Sequence, residues 1–192
     1  GITGDCKEIN AEEIDLLENH KFEEVRTLFW RNSNLNFNNA SSLIKSLDEK
    51  PNRDWLRKIH ECEDEKVLKY FIKNLDLYNI KDIKETLTLL WECCQIPDFV
   101  KKTYGNHIEV VGKVFNFLNG TKGKITNEFM RLQLMKLDKL EGNVDSLSNR
   151  IANVRTWSYV SNKNNWVENQ VYWIEKTKLL EDKLSDRLHE EL

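Results

Sequence analysis

The sequence predicts an all-α fold, a multi-helix array ending in an antiparallel bundle of long helices, and three observations predict it. Only seven Gly and two Pro occur in 192 residues. That is too few to punctuate the seven or more short strands of a sandwich or barrel, whose turns need a positive or preset φ. Apolar residues recur at spacings of three and four through most of the chain, the period of one helix face. With 40% apolar and 32% charged residues, the chain is a globular polypeptide long enough for one ordinary domain or two small ones.

Asn10-Ala11-Glu12-Glu13 reads as an N-cap with Glu at N3, opening a helix through Ile14 and Leu17 to about Asn19. Phe22, Val25, Leu28 and Phe29 predict a second helix, broken by the Asn-rich stretch 32–39. Asn38 or Asn39 caps a short helix carrying Leu43, Ile44 and Leu47, which stops before Pro51. Weaker helical patterns lie over 55–59 and 64–75.

From about Lys81, the residues Ile83, Leu87, Leu90, Trp91 and Cys94 share a face, and the helix ends before Pro97 because the residue preceding proline avoids the α region. Residues 106–118 continue the pattern with Ile108, Val111, Phe115 and Leu118, and Asn119-Gly120 closes it. Thr126 caps a helix through Phe129, Met130, Leu134 and Leu137. Residues 143–160 carry Val144, Leu147, Ile151, Val154 and Trp157, and residues 170–192 carry Trp173, Thr177, Leu180, Leu184, Leu188 and Leu192. Short connections are expected to pack these last three helices as an antiparallel bundle over 121–192, preceded by a helical subdomain over 31–120.

The net charge of −3 supplies no global field toward nucleic acid or a membrane. Local charge is less even. Residues 121–165 hold eight cations against four carboxylates, +4, whereas residues 1–30 carry −5, residues 31–120 carry +1 and residues 166–192 carry −3. No apolar run approaches the 18 residues needed to cross a bilayer, and nothing resembles a signal peptide. Four Cys without a CxxC spacing, two of them adjacent as Cys93-Cys94, predict reduced thiols in a reducing compartment. The chain opens Gly1-Ile2-Thr3-Gly4 without an initiator Met and is read as a piece of a longer polypeptide.

A phosphate-cradling loop needs glycines at set spacing, a Lys and a hydroxyl after a strand. Gly120-Thr121-Lys122-Gly123-Lys124 has some of those residues but neither the spacing nor the strand, and competes with a plain helix–helix turn. His60 and Cys62 are two soft ligands where a structural zinc site needs four. His20, His107 and His189 stand apart in sequence and are expected at the surface or at caps, so no nucleophile–base set assembles. No catalytic, cofactor-binding or metal-ligating residue is assigned.

The basic segment is the one candidate site. Arg131, Lys136, Lys139, Arg150, Arg155 and Lys163 can neutralise phosphates, and Trp157, Tyr159 or Trp166 can stack on the bases of a single strand. Against this, Trp157 continues an apolar stripe and so also suits a core position, and +4 over 45 residues suits solvated helices.

Three blocks carry a resemblance. The C-terminal third holds Arg150-Ile151-Ala152-Asn153-Val154-Arg155-Thr156-Trp157-Ser158-Tyr159-Val160, then Trp166, Trp173 and Glu181-Asp182-Lys183-Leu184-Ser185-Asp186-Arg187-Leu188-His189-Glu190. Leu90-Trp91-Glu92-Cys93-Cys94-Gln95-Ile96-Pro97-Asp98-Phe99 forms a second block, and Trp30-Arg31-Asn32 after His20-Lys21-Phe22 a third. Together they resemble the C-terminal helical region of alphaproteobacterial superfamily-two helicases, bacterial relatives of the suppressor-of-Var helicase of the mitochondrial RNA degradosome. The opening Gly-x-Thr-Gly-acidic stretch is similar to one that follows the arginine motif of the second RecA-like domain in such helicases.

The resemblance spans the chain in order but thins over 45–84 and 105–124, and the P-loop, the Asp-Glu box and the arginine finger have no counterpart here. It implies that residues 1–30 comprise a connector from a missing RecA-like motor domain plus a first helix, and that the fragment is a non-catalytic helical accessory region packing on the motor and helping to hold single-stranded RNA. It implies ATP and Mg in the parent protein but no cofactor in this chain, a degradative nuclease as a possible further partner, no membrane, and a bacterial cytoplasm. The competing expectation is a free-standing helical adaptor that binds a protein and no RNA.

Overall fold

The computed structural model describes residues 27–77 and 80–192. The expected helix over 10–19, the Phe22 and Val25 part of the second helix, and nearly all of the 1–30 connector lie outside them. The described residues form seven helices and one two-stranded sheet, a mostly helical architecture compatible with the all-α class. No helix among them is long and apolar enough to cross a membrane.

Two described segments expected to lie in helices are strands. β1 (Leu28–Trp30) pairs in parallel with β2 (Leu56–Lys58), Leu28 opposite Leu56 and Trp30 opposite Lys58. The Phe22–Phe29 spacing therefore does not continue as helix to Phe29, and residues 55–59 do not form a helical turn. Neither segment is long enough to repay helix nucleation alone, and pairing gives their backbone groups partners. Beyond β1, Asn32 ties the chain to the helix end and loop around residues 46–49: its amide donates to the Ser46 carbonyl at 2.9 Å and the Glu49 carboxylate at 2.9 Å, and locally to the Asn34 carbonyl at 3.2 Å.

Between the strands runs α1 (Ala40–Leu47), capped by the Asn39 side chain, which accepts from the Ser42 N–H at 2.8 Å. α2 (Glu63–Asn74) opens with Glu63, Asp64 and Glu65 against the positive end of its dipole. α3 (Ile83–Cys94) starts at the Asp82 cap and buries Leu87, Leu90, Trp91, Cys93 and Cys94. α4 (Tyr104–Leu118) begins two residues before the expected start because the Thr103 hydroxyl accepts from the Asn106 N–H at 3.2 Å.

The last three helices are α5 (Asn127–Leu137), α6 (Val144–Asn162) and α7 (Gln170–Glu191), with Thr126 and Asn143 capping the first two. Their ends are tied by specific bonds. The Ile125 N–H donates to the Trp166 carbonyl at 2.8 Å, and the Glu168 N–H returns to the Ile125 carbonyl at 3.1 Å. The Trp173 indole donates to Asn127 Oδ1 at 2.9 Å, and the Lys183 ammonium reaches the Asp138 carboxylate at 2.6 Å. Buried residues from α1 through α7 belong to one apolar cluster, in which Leu43, Val67, Leu87, Val114, Met130, Leu147, Val154 and Leu184 have no exposed surface. A fully buried leucine there contributes about 2 kcal/mol of transfer free energy.

Candidate nucleic-acid interface

The basic segment places its six cations along α5, α6 and the connections beside them. Arg131 lies on Glu128 one turn earlier, with contacts of 2.7 and 3.2 Å. Arg150 turns back on the end of α5: one guanidinium nitrogen donates to the main-chain carbonyls of Lys139 at 2.8 Å and Glu141 at 2.5 Å. Arg155 reaches across to Glu181 on α7 at 2.8 Å. Lys163 sits over the Trp166 ring, 5.4 Å from its centroid. Lys136 and Lys139 are both exposed, and neither forms an ion pair among the described residues. Four of the six charges are thus engaged within the chain, and two are left for other partners.

The aromatic side chains divide in the same way. Trp157 and Trp166 are 5% and 4% exposed. Phe129 meets Trp157 edge-on at 5.5 Å between centroids, and Phe117 in turn packs on Phe129 at 4.8 Å. The core reading therefore holds for Trp157, and Trp166, considered only as a stacking residue, is buried as well. Tyr159 is half-buried against the same cluster, and burial pushes its phenol above the usual tyrosine range.

The exposed aromatic of this region is Tyr172 on α7, with Lys176 one turn later, 5.7 Å from its ring centroid. A groove of about 310 Å³ runs beside it between α5 and α7, lined by Arg131, Leu134, Met135, Leu179 and Leu180. Leu179 and Met135 are more than half exposed along it, and Val171, next to Tyr172 in the chain, is more exposed still. Charge counting passes over this face because it belongs to the acidic segment; the i, i+4 spacing of Tyr172 and Lys176 is the signal present in the sequence.

A second site lies at the start of α4. His107, expected at the surface or at a cap, is instead 8% exposed overall. It falls one turn inside α4, and burial outweighs the pull of Asp98 and Glu63 to hold its imidazole below the usual histidine range. His189 is exposed as expected, and His20 lies outside the described residues.

The remaining motifs resolve as local structure. Residues 120–124 form a turn after α4, with the Gly123 N–H on the Gly120 carbonyl at 3.1 Å and Gly123 at φ 64. His60 is exposed, and the Cys62 thiol donates to its main-chain carbonyl at 3.5 Å. Cys62, Asp64 and Glu65 cluster closely enough to share an ion. The Arg31 guanidinium already occupies both carboxylates, at 2.8 Å from Asp64 and 3.5 Å from Glu65, so a cation there would have to displace it. No family model, curated protein or solved structure matches the chain.

Proposed function

We propose that this chain is a non-catalytic helical accessory region of an ATP-dependent RNA helicase, which packs on motor domains and contributes to holding single-stranded RNA. In this reading α5, α6 and α7 act as an antiparallel bundle, a rigid wall beside moving lobes. The resemblance of the three sequence blocks motivates it. The observation that carries it is the apolar row of Met135, Val171, Tyr172 and Leu179, each at least half exposed, which suits a face made to be covered by protein. Lys136 and Lys139 supply uncommitted cations on the same bundle for a phosphate backbone.

A free-standing adaptor without RNA binding is the second reading, favoured by the internal engagement of Arg131, Arg150, Arg155 and Lys163. Fluorescence anisotropy with a labelled single-stranded RNA across a salt series separates the two. The accessory reading expects affinity that falls steeply with salt, and a log–log salt slope smaller by about one for each of Lys136→Ala and Lys139→Ala. Absence of binding at low salt supports the adaptor.

A further inference from the structure

Two clefts meet at the start of α4. The larger, about 720 Å³, is walled by Ile96, Pro97 and Tyr104; the smaller, about 310 Å³, extends to Asn149, Asn153 and Trp157 on α6. Asp98, Lys102, Thr103 and His107 line both. Their volumes span the range of small-molecule sites.

The chemistry of this junction is specific. The first turn of α4 has no acidic residue, and the space around Gly105 is open. Its N–H groups have no partner within the helix, apart from the one that Thr103 takes, so they favour an anion. The His107 side chain is 7% exposed, and its Nδ1 stands 4.0 Å from Asp98 Oδ1, too far for a hydrogen bond. No other partner of its ring nitrogens occurs among the described residues. No side-chain nitrogen or oxygen there is both sealed and unpaired, so the His107 nitrogens open onto the cleft.

The surrounding charges cancel selectively. Glu63 is paired with Lys66 at 2.9 Å, Asp64 with Arg31 at 2.8 Å, and Glu109 with Lys113 at 2.6 Å. Lys101 and Lys102 are exposed and form no ion pair among the described residues. Asp98 accepts from the Lys101 N–H at 2.9 Å, a turn that holds Lys101 at φ 50. The balance is two available cations and a helix start beside one carboxylate and one unpaired imidazole.

We infer that this double cleft binds a ribose phosphate, the phosphate on the α4 N-terminus with Lys101 and Lys102, and the sugar hydroxyls toward Asp98 and His107. A bare anion meets the helix start but is opposed by Asp98. A hydroxyl-bearing sugar satisfies both, since a carboxylate accepts from hydroxyls and a neutral imidazole offers one donor and one acceptor. The same unit occurs in a free nucleotide and in an RNA chain. For the polymer, the inference rests on the RNA reading proposed above; for the nucleotide, it stands by itself.

The test titrates the full chain with AMP, inorganic phosphate and 2′,3′-dideoxy-AMP, following backbone amides by NMR, and in parallel with oligouridylate by anisotropy. Expected are AMP-induced shifts at Gly105 and His107 and affinity for AMP above that for phosphate. Lys101→Ala with Lys102→Ala should weaken AMP about a hundredfold, about tenfold for each charge-assisted hydrogen bond lost. Asp98→Asn should erase the preference for AMP over the dideoxy analogue. Both lysines are exposed, so the double variant tests binding with the fold intact. AMP binding without oligouridylate binding upholds the site and removes the RNA reading. Oligouridylate binding unchanged in the lysine variant, with no AMP shifts, overturns the site and leaves the RNA reading standing. Phosphate and AMP binding alike, indifferent to Asp98→Asn, overturns the ribose assignment, and no response to any probe overturns the site.

Discussion

Arg31 grips Asp64 with both guanidinium arms, at 2.8 and 3.1 Å, across thirty-three residues of sequence. The same guanidinium lies 5.4 Å from the Trp91 ring centroid and 3.5 Å from Glu65, whose side chain is 1% exposed. One side chain thus ties the exit of β1 to α2 and α3, and its hydrogen bond to Asp64 raises its own pKa further.

Replacing it should leave Glu65 buried without its cation. Arg31→Met is expected to cost about 2 to 3 kcal/mol at pH 7, less than a fully buried pair because Arg31 keeps part of its surface in water. Burial already raises the Glu65 carboxyl above its ordinary 4.5, with Arg31 opposing. A carboxyl with a raised folded pKa favours the folded state at low pH and loses that advantage as pH rises. The penalty should therefore be smaller at pH 4 than at pH 7 in urea denaturation, and an equal penalty at both would refute the assignment.

Arg150 is expected to behave as a structural residue. Arg150→Ala removes both bonds to the Lys139 and Glu141 carbonyls and should lower stability by about 1 to 2 kcal/mol. Added salt should leave most of that loss in place, because the partners are carbonyls rather than carboxylates. Paired melts of the two proteins at about 0.1 M and about 1 M NaCl, where the Debye length falls from about 10 to about 3 Å, measure it.

His107 gives the pH response of the cleft at the start of α4. Its folded pKa lies below the ordinary 6.5, so the unfolded chain binds more protons there and stability drops as pH falls through that value. The urea midpoint of the wild-type chain should decline between pH 7 and pH 5 more steeply than that of His107→Gln. Parallel curves would mean that His107 is not the group responsible.

Burial pushes the Cys93 thiol up to about 12 and raises the Cys94 thiol as well. In a Cys6→Ser background, Cys62 should react with a disulfide reagent at pH 7.5, while Cys93 and Cys94 react on the order of a thousandfold more slowly until denaturant is added. Mass spectrometry of timed aliquots distinguishes one label from three.

Helix positions are legible wherever a cap and a periodic face coincide. Asn39, Asp82, Thr126 and Asn143 each accept from an N–H in the first turn of the helix they precede. The strands are not, because a three-residue pairing between positions 28 and 56 is decided by partners far away in sequence. Periodicity sets the start of α4 too late because Gly105 weakens the local helical signal while Thr103 supplies the cap. For the site, a charge count registers Arg150 and Arg155 but not the carbonyls and the Glu181 carboxylate that engage them. Nor does spacing show that His107, Asp98 and Lys102 border common clefts.

The parallel pairing of β1 with β2 also has a mechanical side. Tension applied to the chain ahead of Thr27 and to the chain beyond Lys58 pulls the two strands in opposite directions along their length. The ladder bonds, including Leu28 to the Trp55 carbonyl at 3.1 Å and Ile59 to the Trp30 carbonyl at 2.9 Å, then bear the load together rather than opening one after another. Such a seam resists extraction at a rate set by its unfolding barrier rather than by its equilibrium stability, which makes this small sheet an anchor point for whatever pulls on the chain before it.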